Sequence, residues 1–217
     1  MTASPPAHPA DLFQLLEWKR SVAAVYALVR EREDPAEAWN LWRSGRQSLF
    51  AEHSQSPVAK EKRDRVTLEY FDYDPLLRVL GDVRAVQGRH YDIATSGDLT
   101  FGFTHFASAM FCLAGRDLSL EMYWLDGYGG GLLLPFRDAT SGDSTYGAGR
   151  YLLDTVKGAD LGMIDGRIVL DFNFAYNPSC VYDPAWVCPL APPANRLPVP
   201  VMAGEQLPDG LAPEENL

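Results

Sequence analysis

Cysteine is scarce: three residues (Cys112, Cys180 and Cys188) in a chain of 217. An odd, low count cannot build a disulfide framework and fits a reducing compartment. Long apolar runs are also missing. No stretch of about 18 apolar residues occurs, so no membrane-spanning helix is expected. Residues 1–20 lack a basic start followed by an apolar run, so no signal peptide is expected either. Together these absences predict a cytoplasmic protein. Clustered positive charge is lacking too. The formal net charge is −10, and the one basic run (Lys60, Lys62, Arg63, Arg65) is broken by Glu61 and Asp64. A nucleic-acid backbone needs a contiguous basic surface, so no nucleic-acid partner is expected.

Metal and cofactor signatures fail for lack of spacing. Cys180 and Cys188 enclose seven residues and no second pair follows, which does not make a zinc knuckle. Buried, reduced thiols are the commoner outcome, although a disulfide across that short loop is compatible with the spacing. His8 falls in a tail, and His53, His90 and His105 have no ligand-like spacing. The Gly129-Gly130-Gly131 run is followed by a strand pattern where a phosphate-binding turn needs a helix. No metal and no cofactor are predicted.

What is present is an ordinary globular composition, 47% hydrophobic and 22% charged, able to bury a core. The ends, 1–10 and 208–217, are rich in Pro, Ala and acid and read as mobile tails. Residues 11–207 read as one domain, helical over 11–53 and β-rich over 66–207. Leu12, Leu15, Leu16, Val22, Val25, Tyr26 and Val29 recur near helical spacing over 11–32. A second helix opens at Asp34-Pro35, a cap followed by a residue suited to the first turn. It carries Trp39, Trp42 and Leu49 inward and ends before Ser54.

After Arg65 the pattern predicts strands at 66–71, 77–86, 99–106, 109–113, 118–124, 132–136, 150–153, 168–174 and 199–202. Strands do not alternate with amphipathic helices, which argues against a parallel sheet. The fold expected is α+β and predominantly antiparallel, a sandwich or partly closed barrel with two N-terminal helices. Pro189, Pro192, Pro193, Pro198 and Pro200 require an extended C-terminal strap. Leu190, Leu197 and Val199 should pack it down.

Polar residues concentrate between 135 and 196. Arg137 and Arg150 flank a loop rich in small residues and can hold an anion. Pairing with Asp138, Asp143 or Asp171 is the structural alternative. On a continuous strand, Asp171 and Asn173 would share one face, with Arg150 the obvious partner, while Phe172, Phe174 and Tyr176 point into the core. The strings PFRDATSG (135–142), TYGAGRYL (145–152), DFNFAYNPSC (171–180) and CPLAPPANRLPVPV (188–201) with AGE (203–205) resemble the domain-of-unknown-function family 1684. HSQSP (53–57) and YFDYDP (70–75) resemble it more weakly. The resemblance implies a shared architecture and marks Arg137, Asp138, Tyr146, Arg150, Asp171, Asn173, Tyr176, Asn177 and Asn195. It implies no activity.

Three functions follow. The first is a small-molecule pocket in which Arg137 and Arg150 hold an anion, Asn173 and Asn177 orient it, and Tyr146 and Tyr176 wall it. The second is an enzyme with Asp138 or Asp171 as general base, a role that a neighbouring Arg would weaken by lowering the carboxyl pKa. The third is a scaffold in which these residues brace loops.

Overall fold

The computed structural model describes residues 9–208, so most of both terminal tails (1–8 and 209–217) lies outside the described residues. Helix α1 (Pro9–Glu31) and helix α2 (Pro35–Glu52) form an antiparallel hairpin. The Asp34 carboxylate accepts from the Ala36 and Glu37 N–H groups, and Pro35 opens the first turn, as the cap signature requires. Tyr26, Val29, Trp39, Trp42 and Phe50 are buried. Leu12, Leu15 and Leu16 are exposed, against the sequence reading. The physical reason is length: α2 ends where Ser54 meets Gln14 (2.8 Å), so among the described residues α2 does not extend along the first turns of α1. Among the described residues no helix is long and apolar enough to cross a membrane.

The body is one seven-stranded antiparallel sheet. Its strands are β1 (Arg78–Ala94), β2 (Thr100–Leu113), β3 (Arg116–Leu125), β4 (Leu132–Phe136), β5 (Arg150–Asp154), β6 (Met163–Ile164) and β7 (Arg167–Asp171). The spatial order is β5-β4-β3-β2-β1-β7-β6. Two-residue hairpins at Ala114-Gly115 and Asp165-Gly166 have both central φ angles positive, the turn whose twist matches antiparallel strands. Strands β5 and β6 lie on opposite edges, yet a short segment joins them, so the sheet must curl. Tyr151 and Tyr176 exchange two backbone hydrogen bonds (2.9 and 3.0 Å) across the gap. The sheet is curled but not closed, within the α+β antiparallel class expected.

Several strand readings are corrected. Two expected strands fuse into β2, and β1 runs through Gln87-Gly88-Arg89 with a bulge instead of ending at Val86. The 66–71 segment joins no named strand. The Gln47 amide holds Val66 and Leu68 by their backbones, and Phe71 N–H donates to Gly204. Residues 199–202 form no ladder strand because Pro198 and Pro200 have no N–H to donate. The burial alternation survives: Leu197, Val199, Val201 and Ala203 face the core. Strand β7 stops at Asp171, whose carboxylate caps a turn over Phe172–Phe174. The expected two-face alternation is therefore lost, and all three turn residues are buried.

Candidate functional site

Arg150 opens β5 opposite Phe136 of β4, and its side chain is 1% exposed. One terminal nitrogen donates to Asp138 (2.9 Å) and to the Val201 carbonyl (2.9 Å). The other donates to the carbonyls of Ala203 and Glu205. The second Asp138 oxygen accepts from Thr140 N–H (2.7 Å), the Thr140 hydroxyl (2.5 Å) and Val201 N–H (3.3 Å). Burial pulls the guanidinium below its usual pKa, with Asp138 acting against it. The fork of Arg matches several acceptors at once, so this pair clamps the proline strap to the β4–β5 loop.

A second knot lies one turn of the strap further on. The Glu205 carboxylate is fully buried and accepts from Arg46 (2.9 Å), Asn177 N–H (2.8 Å) and the Tyr182 hydroxyl. Burial pushes its pKa up, and Arg46 opposes that. The Arg46 guanidinium lies over Phe50 and Tyr176, 4.3 and 4.8 Å from their ring centres. Asn177 donates to the Gln206 carbonyl (2.7 Å). Asn195 does similar work elsewhere, binding both backbone groups of Glu121 and the Pro135 carbonyl.

The residues expected to share one pocket are thus distributed. Arg150 and Asp138 are sealed inside the brace. Tyr146 is buried in a separate small core with Phe50 and Tyr182. Arg137 is half-buried and its backbone pairs with the strap at Asn195 and Leu197. Tyr176 and Asn177 line a small cavity of about 70 Å³ with Arg46 and Lys157. Asn173 is fully buried; it binds Asp74 N–H (2.9 Å) and Asp74 C=O (2.8 Å) through its amide. Its own carbonyl accepts from the Trp39 indole (2.9 Å).

Asp171 has a different setting. Its ion-pair partner is Arg78 (3.6 Å), not Arg150, because the chain leaves β7 at this point and Arg78 faces it across the β1–β7 ladder. The carboxylate also accepts from Asn173 N–H (3.1 Å) and its side-chain amide (2.8 Å). Burial pushes the Asp171 pKa up to about 6, against the Asn173 bonds and Arg78. Arg78 lowers it, as expected of a neighbouring Arg, but desolvation is the larger effect and the net shift is upward.

This pair borders a cleft of about 280 Å³ between the α1–α2 turn and the β6–β7 hairpin. Val29, Leu161, Ile164, Val169 and Phe174 supply apolar wall, and three arginines (Arg30, Arg32, Arg78) with two carboxylates (Glu33, Asp171) supply charge. Arg30 is engaged with Asp160, whereas Arg32 has no ion-pair partner among the described residues. Sequence reasoning passed over these arginines because they sit in a helix end and a strand start, outside the polar strings. It also passed over Ser108, His105 and Glu121, brought together by a bulge in β2. Ser108 Oγ is 3.2 Å from His105 Nε2, but His105 Nδ1 stands 3.7 Å from Glu121. That carboxylate is already bonded by Tyr123 (2.5 Å), so the order nucleophile, base, orienting acid is not assembled.

No curated protein matches the chain. A solution NMR structure of an uncharacterized protein from gene locus rrnAC0354 of Haloarcula marismortui is 38% identical, with a TM-score of 0.56. The match covers 76% of this chain and 89% of that one. The family model described as "Protein of unknown function (DUF1684)" matches residues 66–206, a span holding Arg150–Asp138, Glu205 and Arg78–Asp171, with Arg46 of the second knot outside it. The chain belongs to that family.

Proposed function

We propose that the domain binds a small anionic molecule in the cleft between the α1–α2 turn and the β6–β7 hairpin. The observation that carries the reading is an ion pair of a buried carboxylate with a partly exposed arginine, Arg78–Asp171, bordering an open cavity with apolar walls. Ligand sites are mostly apolar concavities with a few convergent polar groups, and about 300 Å³ is their lower end. Arg78 and Arg32 take the anionic group, and Leu161, Ile164 and Phe174 face the remainder. Arg150 is left out of this assignment because its terminal nitrogens are taken by the strap carbonyls and Asp138, and Arg137 because it does not line this cleft. The brace favours the structural reading for Arg150.

A thermal-shift series with inorganic phosphate and short mono- and dicarboxylates tests this. A binder at 100 times its dissociation constant stabilises by about 2.7 kcal/mol. The shift should vanish in Arg78→Ala and persist in Arg137→Ala. Equal shifts in folded wild type and Arg78→Ala, or none with any anion, overturn the reading.

A second reading is favoured by Asp171 itself. A carboxyl pushed up to about 6 is better matched to proton abstraction near neutral pH than an ordinary one. As general base it would take a proton from a ligand held by Arg78. Asp171→Asn then retains the phosphate or carboxylate shift and loses turnover. Turnover kept in that variant removes Asp171 from the chemistry.

A further inference from the structure

Another cavity, of about 190 Å³, shares no lining residue with the Arg78 cleft. Four neighbouring strands build one wall of it. Phe103 on β2 stands opposite Leu125 on β3, and Leu133 on β4 stands opposite Asp154 on β5. Phe103 and Leu133 are buried and form the floor. Phe101, Val156 and Val187 form the rim, each more than a third exposed. The strap closes the remaining side at Val187 and Pro189. It is pinned there: Ser96 N–H donates to the Cys188 carbonyl (2.9 Å), Leu190 N–H to the Ala94 carbonyl (2.9 Å), and the Tyr151 hydroxyl to the Pro189 carbonyl (2.5 Å). The cavity is therefore built into the fold.

Two charged residues reach this cavity, and they differ in what they have left to offer. Asp154 is buried and its carboxylate is occupied. One oxygen accepts from Lys157 N–H (3.3 Å) in the turn that Asp154 caps, and the other stands 3.8 Å from the Lys157 ammonium. The Lys157 side chain is half-exposed, and an ammonium carries three donors, so donors remain for a further acceptor. A molecule entering here meets apolar walls and one cation with donors to spare. An apolar cavity of about 150 Å³ is enough to hold benzene, which sets the size of the body this one can take.

We propose that this cavity binds a monocarboxylate with an apolar body the size of an aromatic ring, the body on Phe103 and Leu133 and the carboxylate on Lys157. The class differs from the small anions assigned to the Arg78 cleft, because here the body supplies most of the affinity. Burying a ring tightens binding by about 10- to 100-fold over the head alone. A solvated ion pair adds about two- to fivefold.

Calorimetric titration of the full chain with phenylpropanoate, its neutral counterpart phenylpropanol, and propanoate separates the two contributions. Phenylpropanoate should saturate one site from which propanoate does not displace it. Phenylpropanol should bind the same site about two- to fivefold more weakly. Lys157→Met keeps the apolar stem and removes the charge, so it should bind acid and alcohol equally. Val156→Trp fills the cavity from its exposed rim and should abolish binding of both. Val187→Trp does so from the strap, should the first variant fail to fold. No saturable binding of phenylpropanoate to the wild type overturns the proposal. Undiminished binding in folded Val156→Trp or Val187→Trp does the same, because the ligand then sits elsewhere. Equal binding of acid and alcohol by the wild type removes the carboxylate from the assignment and overturns the ligand class.

Discussion

Arg150–Asp138 and Arg78–Asp171 are both arginine–aspartate pairs with a carboxylate almost removed from water, and they differ in what surrounds the arginine. Arg150 is 1% exposed and spends its terminal donors on three strap carbonyls and one carboxylate. Arg78 is 29% exposed, approaches Asp171 at 3.6 Å, and borders an open cleft. Buried charge is tolerated where every polar group finds a partner. The first pair meets that condition from inside the molecule at both terminal nitrogens and both carboxylate oxygens, leaving only Arg150 Nε unpartnered, and fixes the strap. The second leaves room for an external group to complete it. One residue pairing therefore produces a clamp at one end of the sheet and a candidate site at the other.

The comparison predicts its largest effect at the clamp. Arg150→Met leaves Asp138 charged without its cation and frees the strap carbonyls. A loss of about 3–5 kcal/mol is expected, the usual cost of removing one partner of a buried pair. Urea unfolding measures it. A loss under about 1 kcal/mol would mean that the strap is held by its apolar side chains alone. Arg150→Lys should recover little, because an ammonium cannot serve that fork of acceptors.

How far the sequence carried this contrast depends on the residue. The cap at Asp34-Pro35 and the strand at 132–136 follow local rules, and the structure has both. The polar strings correctly mark where buried polar groups concentrate: Arg150, Asp138, Asn173, Asn177 and Asn195 are all at most 1% exposed. The choice between brace and pocket was not legible, because it depends on the strap carbonyls, which have no side-chain signal. Asp171 was assigned to the wrong arginine for a related reason. Alternation cannot announce that a strand ends three residues earlier, in a capped turn. The cleft arginines lie far apart in sequence, and only the packing of α1 and α2 on the β6–β7 edge brings them together.

The next effect in size belongs to Asp171 and is a pH dependence. Its pKa is raised from 3.8 to about 6. As pH rises through that window the unfolded chain releases a proton that the fold retains. Stability is therefore present below the unfolded value and lost as pH rises towards the folded one. The loss is on the order of 3 kcal/mol, at about 1.4 kcal/mol per pH unit. Asp171→Asn removes this titration, so the variant should gain on the wild type by that amount between pH 4 and pH 7. Parallel denaturant curves across that range measure the difference. A flat difference would mean that Asp171 is charged throughout and that water reaches it. A smaller effect is expected at Trp39→Phe, which removes one buried hydrogen bond to Asn173. About 1–3 kcal/mol should be lost at all pH values, because the Asn173 carbonyl is left without that donor.

The smallest effect sharpens the comparison most. In Arg78→Gln the carboxylate stays buried and keeps both Asn173 bonds, so only the cation is withdrawn. Arg78 opposes the rise in the Asp171 pKa, and its withdrawal should raise that pKa further. The pair is partly solvated, and solvated pairs interact by about 0.2–1 kcal/mol, so a rise of roughly half a pH unit is expected. Carboxyl carbon chemical shifts followed through a pH titration read it directly. No movement would mean that water already screens Arg78 from Asp171, and the anion site would then rest on Arg32. A rise of two units or more would mean that the pair is as sealed as Arg150–Asp138. The cleft would then offer a ligand no free cation at its floor.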